Sequence, residues 1–223
     1  MKRIILITSL VFVSVLMFGQ TGKRQYLGIN IMQLPAFTIN ANFSQDIAPY
    51  FTALGDAGYA VNYKKAMNLD LPGTLLTAHE KLDDVTDIEM IEYHFYNMAG
   101  GYVKAGGYFN MRNNFEKRHF FHLGLFTTYA LVYERADKQI LYPVTEEPYL
   151  VEHAFFTAGL AFAGGYEFSV SKRLKSQVDL QYSLPVVNQD KPYIFRSFIP
   201  GMGFKDNTRR FYPMLIWNVK YQL

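Results

Sequence analysis

The sequence predicts an all-β protein, an antiparallel up-and-down transmembrane β-barrel of eight strands. Three observations carry that prediction. Apolar and polar residues alternate with a period of two through most of the chain after Gly22. Charged residues are only 18% of the 223, against roughly 25% in soluble domains, while aromatic residues reach 17%. No stretch after the N-terminal segment is long and apolar enough for a membrane-spanning helix, which needs roughly 20 residues. A surface partly withheld from water must then be presented by strands.

The elements follow in order. Met1-Lys2-Arg3, an apolar run from Ile4 to Phe18 and then Gly19-Gln20 have the form of a cleaved secretory signal peptide. The chain therefore divides into a signal peptide, 1–20, and one barrel domain, 21–223. The first stretch sets Leu27, Ile29 and Ile31 against Gly28 and Asn30. The second sets Phe37, Ile39, Ala41 and Phe43 against Thr38, Asn40 and Asn42. The two meet at Leu34-Pro35, and the pattern leaves open whether 26–43 is two short strands or one long one. Phe51 to Tyr63, Phe95 to Arg112, His119 to Glu134, Phe156 to Ser169 and Gln177 to Val186 continue the alternation. The last strand sets Phe211, Pro213, Leu215, Trp217, Val219, Tyr221 and Leu223 against Tyr212, Met214, Ile216, Asn218, Lys220 and Gln222.

Alternation does not say which face points inward. The polar face is rich in Gly, Ala, Ser, Thr and Asn with few charges, unlike a surface meeting water, and small side chains suit a narrow lumen. Aromatic residues gather at both ends of the apolar face: Tyr63, Phe95, Tyr133, Phe156 and Phe211 at one, Phe43, Phe51, Phe109, Phe121, Phe168 and Tyr221 at the other. Both features turn the apolar face toward lipid. Connections alternate in length, with short polar turns at Ser44–Pro49, Asn113–Arg118 and Val170–Lys175 and long loops at 64–92, 136–152 and 188–208.

The terminal Trp217-x-Val219-x-Tyr221-x-Leu223 resembles the closing strand of outer-membrane barrels. The mature chain is similar to the broad class of small bacterial outer-membrane β-barrel proteins. That resemblance implies a Gram-negative outer-membrane location, contact with outer-membrane lipid, short periplasmic turns and long external loops.

With the apolar face outward, Asp56, Lys104, Arg112, Glu134, Glu167, Asp179 and Lys220 point into the lumen. Asp179 and Lys220 are expected at similar depth, with Glu167 and Arg112 at that level too. An eight-stranded barrel is just wide enough for side chains to fill it, so opposite charges there are expected to pair and plug it. No catalytic constellation, cofactor motif or metal site is predicted. His119 and His122 lie three apart and fall on opposite faces of a strand. His79, His94 and His153 are isolated. The repeats Ala99-Gly100-Gly101-Tyr102, Ala105-Gly106-Gly107-Tyr108 and Ala163-Gly164-Gly165-Tyr166 lie within strands, not between a strand and a helix as a phosphate loop requires. Thr77 and Glu80 form a capping-box pattern, and Leu82, Val85 and Ile88 share a helical face in the acidic first loop. The chain has no cysteine, and a net charge of +3 with no basic run gives no reason to expect nucleic acid as a partner.

The leading function is a non-enzymatic structural or surface-binding role, with the loops 64–92, 136–152 and 188–208 available to an extracellular or envelope protein partner. The alternatives are an outer-membrane lipid-modifying enzyme, a narrow solute pore and a periplasmic lipocalin-like carrier.

Overall fold

The computed structural model describes residues 24–36, 38–61, 77–80, 89–112, 119–142, 147, 149–188, 196–206 and 212–223. The predicted signal peptide and most of the predicted first long loop, including Leu82, Val85 and Ile88, lie outside the described residues. The strands are β1 (Gln25–Asn30), β2 (Thr38–Ala48), β3 (Phe51–Ala60), β4 (Thr77–Glu80), β5 (Glu89–Asn110), β6 (His119–Tyr142), β7 (Tyr149–Ser169), β8 (Leu174–Asn188), β9 (Arg196–Ile199), β10 (Gly203–Asp206) and β11 (Tyr212–Gln222).

Eight of these strands form a closed antiparallel up-and-down barrel. Consecutive barrel strands pair in the order β3-β2-β1-β11-β8-β7-β6-β5, and the β3–β5 pairing completes the circle. Closure gives every spanning strand two neighbours, so no ladder of N–H and C=O groups is left at an edge within the barrel wall. The first and last strands pair directly, Tyr26 opposite Gln222 and Ile29 opposite Val219. Residues 26–43 are two strands joined by a 3-10 turn at Ile31–Ala36. Gln25 and Leu223 therefore lie together at the end of the barrel that carries the short turns. Paired residues followed once around the barrel run Lys175, Lys220, Gly28, Asn42, Asp56, Lys104, Thr128, Gly159 and Pro185, returning to β8 ten residues along. That stagger requires strongly tilted strands and leaves a narrow interior.

The alternation read from the sequence sorts the faces. On β6, Phe121, Leu123, Leu125 and Leu131 are 54–61% exposed. Between them, Phe120, His122, Phe126, Thr128, Ala130, Val132 and Glu134 are buried. On β11, Leu215, Trp217 and Tyr221 face out, and Tyr212, Met214, Ile216, Asn218 and Lys220 face in. An outward apolar face overturns the lipocalin-like alternative, which needs that face inside.

Several boundaries differ from expectation. The Ser44–Pro49 turn is mostly strand: β2 continues to Ala48 through a bulge between Asp46 and Ala48. Lys175 belongs to β8, not to the preceding turn. Thr77–Glu80 is a strand paired with β5, not the start of a helix. Much of the predicted 136–152 loop is strand, because β6 reaches Tyr142 and β7 begins at Tyr149. β5, β6 and β7 are 22, 24 and 21 residues long, about twice the 9–11 that cross a bilayer at a tilt. Beyond the barrel wall they continue as one sheet, to which β4 adds.

Candidate functional site

The interior is stacked in layers, and β5 gives their order. From the short-turn end, its inward residues Asn110, Tyr108, Lys104 and Tyr102 each belong to a successive layer.

The first layer holds Glu167 between two lysines. Lys175 Nζ donates to Glu167 Oε1 and Lys220 Nζ to Oε2, both at 2.7 Å. Lys175 also lies over the Tyr26 ring, 4.3 Å from its centroid. Beside it, Thr52 donates to Asp46 Oδ1 at 2.7 Å, and Asn110 Nδ2 donates to Thr52 at 2.9 Å. The second layer centres on Asp179, whose carboxylate lies 2.5 Å from His122 Nε2. It accepts from Gln177 Nε2 at 2.5 Å and from the Tyr108 hydroxyl at 2.8 Å. An apolar layer of Leu54, Tyr108, Phe126, Ala161 and Ala163 packs above it. Next, Lys104 pairs with Asp56 at 3.3 Å and donates to Gln181 Oε1 at 3.1 Å. The Tyr102 hydroxyl sits 3.1 Å from both Asp56 oxygens and 3.0 Å from Gln33 Oε1, and it accepts from Asn40 at 3.2 Å.

Buried ions tolerate a low dielectric only when paired and hydrogen-bonded. Both carboxylates of the Glu167 and Asp56 clusters meet that condition. Six of the seven expected lumen charges, Asp56, Lys104, Glu134, Glu167, Asp179 and Lys220, are buried. Glu134 lies toward the long-connection end, opposite His153 in the β6–β7 register. The seventh, Arg112, is exposed. It has the inward parity of Lys104 and Asn110, but β5 ends at Asn110 and parity has no meaning past a strand end. Asp179 and Lys220 are also not partners. Lys220 is opposite Lys175, whereas Asp179 is opposite Ile216, four residues farther along. Lys175, Asp46, His122, Tyr102 and Tyr108 complete the networks without having been foreseen as members. Stepping back by two from Gln177 on the polar face leads to Lys175, so that signal was present.

A hairpin tip packs against the inward face of the wall. β9 and β10 pair with each other, and their joining tip, Ile199 to Gly203, is buried. Gln181 Nε2 donates to the Gly201 carbonyl at 3.0 Å, and Ser183 Oγ to the Met202 carbonyl at 2.8 Å. Gly201 has φ +75°, a region that strains residues bearing a Cβ. A Cβ there would also fall on the Tyr102 ring. Gly201→Val is therefore expected to expel the tip. The cysteine-free chain allows a direct measurement: Met202→Cys should react with a maleimide more slowly than Ser171→Cys, by about tenfold or more for an opening cost above about 1.4 kcal/mol. Adding Gly201→Val should bring the two rates together. Equal rates without it would mean that the tip is not seated.

The exterior carries aromatic clusters toward the short-turn end. Tyr50 stacks on Phe109, and Tyr166 contacts Phe121 and Phe168. His119 is on this outer face, stacked on Tyr166, while His122 faces inward. The closed eight-stranded barrel with an apolar exterior has the architecture of small bacterial outer-membrane barrels.

No family model matches the chain, and no curated protein matches it. Among solved structures, the chain is similar to Ail, the attachment invasion locus protein of Yersinia pestis. The TM-score is 0.43 at 7% sequence identity, over 91% of this chain and all of that one.

Proposed function

We propose that this chain is an integral outer-membrane barrel with an occluded lumen, and that it acts without catalysis, through its external surface. One observation carries the membrane reading: a belt of exposed Leu, Ile, Val, Phe, Tyr and Trp side chains around the barrel. A contiguous apolar surface of that extent is incompatible with a water-soluble monomer, and a closed barrel satisfies its backbone without water. Occlusion rests on the filled layers and the seated hairpin tip. His122 and Asp179 are held against Gln177 and Tyr108 in the buried lumen, a structural use of that pair.

The long β5, β6 and β7 carry a sheet beyond the membrane, and with the segments 64–92, 136–152 and 188–208 this supplies the surface for an envelope or extracellular partner. The expected result in a planar bilayer is no steady conductance step from the folded protein. A reproducible step of defined size would overturn the occluded lumen. Purification as a soluble protein without detergent would overturn the membrane reading itself.

A further inference from the structure

At the β7–β8 turn the belt of exposed apolar residues gives way to polar ones. Val170 is 59% exposed, Tyr221 is 47% exposed, and the next residues of the β7–β8 turn are Ser171, Lys172 and Arg173, all exposed. We propose that Lys172 and Arg173 form a docking site for the headgroup of an anionic phospholipid, a proposal that rests on the membrane reading above.

The turn is built and held. Ser171 Oγ accepts from the Leu174 N–H at 3.1 Å and from that of Arg173 at 3.4 Å. Val170 N–H donates to the Leu174 carbonyl at 2.8 Å. The Arg173 carbonyl accepts from the Gln222 N–H at 2.7 Å, which fixes the turn beside the last strand. Arg173 Nη1 donates to the Tyr221 hydroxyl at 3.1 Å. The guanidinium is thus laid against an outward-facing aromatic at the edge of the apolar belt. Its remaining N–H groups form the planar fork that matches phosphate oxygens.

Among the described residues, the side-chain carboxylates toward this end are already engaged. Glu167 faces the lumen and is bound by Lys175 and Lys220, and Asp46 is buried against Thr52. Exposed Arg112 adds positive charge to the same rim. A lipid held at Arg173 would run its acyl chains up the wall formed by β8 and β11. That wall carries Trp217, which is 40% exposed and four residues from Tyr221 on the same face. It is the single tryptophan of the chain, so its fluorescence reports on that lipid.

The experiment compares quenching of Trp217 by phosphatidylglycerol and by phosphatidylcholine with brominated chains. Each is added at the same mole fraction to vesicles of plain phosphatidylcholine holding the folded mature protein. Brominated phosphatidylglycerol should quench as though enriched about fivefold or more, the preference expected from one or two basic side chains near an anionic lipid. The preference should shrink at high salt, where the charges are screened. It should vanish in Lys172→Gln/Arg173→Gln, and it should persist in Arg112→Gln, which lies across the barrel wall from the reporter.

Equal quenching by the two lipids in the unaltered protein would overturn the docking site while leaving the membrane reading intact. A preference surviving in the double variant would also overturn it. Quenching by neither lipid would defeat the membrane reading, and the site with it.

Discussion

Glu167→Gln is expected to destabilise the protein by about 3–5 kcal/mol, the usual cost of removing one partner from a buried ion pair. The arrangement makes this position more sensitive than either lysine. Its two oxygens each receive one ammonium group at 2.7 Å, from Lys175 on β8 and Lys220 on β11. Removing the carboxylate charge orphans two buried cations at once. In Lys220→Met, Glu167 keeps Lys175, and the expected cost falls to about 1.5–3 kcal/mol, the range of a single charged hydrogen bond. The triple variant Glu167→Leu/Lys175→Leu/Lys220→Met should recover most of the loss, because matched apolar replacement of a buried ionic cluster is often neutral or better. Urea unfolding in vesicles, followed by Trp217 fluorescence, provides the midpoints. A Glu167→Gln midpoint within about 0.5 kcal/mol of the parent, the range of ordinary surface substitutions, would mean that the lysines are not buried.

These residues also mark how far the sequence could be read. Strand parity was legible wherever one face meets lipid and the other the lumen, because only there do the two faces differ in chemistry. Leu123 and His122, or Trp217 and Asn218, are sorted by that contrast alone. Toward the far ends of β6 and β7 the sequence no longer alternates cleanly between apolar and polar residues, so the contrast fades. The polar stretch Asp137 to Gln139 and the carboxylates Glu146 and Glu147 therefore suggested a loop, although β6 continues to Tyr142. Asp46 was lost for another reason. The bulge between Asp46 and Ala48 breaks the period of two at the end of β2, and Pro49 beside it suggested an earlier turn.

Pairing was less accessible than parity. The ten-residue stagger decides which inward charges meet. It brings Glu167 to Lys220 and leaves Asp179 to His122, and nothing local in either strand encodes that shift. The inserted hairpin tip is a long-range arrangement too. Ile199-Pro200-Gly201-Met202-Gly203 contains only apolar residues and turn formers, a composition that fits a buried turn. Its receptor, Gln181, Ser183 and Tyr102, lies on other strands.

Gly165→Val and Gly164→Val should separate by several kcal/mol although the positions are adjacent and both sit in the Ala-Gly-Gly-Tyr repeat. Gly164 points to lipid, where an added Cβ would meet only Leu123 Cδ2 at 3.5 Å, an ordinary contact. A β-branched residue suits a strand there, and the change should stay within about 0.5 kcal/mol. Gly165 points inward opposite Asp179. Its Cβ would fall on Asp179 Oδ1 and the Val178 carbonyl oxygen, with Asp179 Cα at 2.8 Å. The carboxylate has nowhere to go, since His122, Gln177 and Tyr108 already hold it. The carbonyl belongs to the β7–β8 ladder and cannot yield without opening the wall. Gly165→Val should therefore exceed the 1–3 kcal/mol typical of overpacking, by about 1 kcal/mol or more, or abolish the compact, fast-migrating band that a folded barrel gives in an unheated gel. Gly165→Ala combined with Asp179→Ala separates the two obstacles. Partial recovery relative to Gly165→Ala alone would assign part of the clash to the carboxylate and the remainder to the strand backbone. If Gly165→Val and Gly164→Val gave equal unfolding midpoints, β7 would not run with Gly165 inward. The lumen assignment of Glu167, two residues along the same face, would then fail with it.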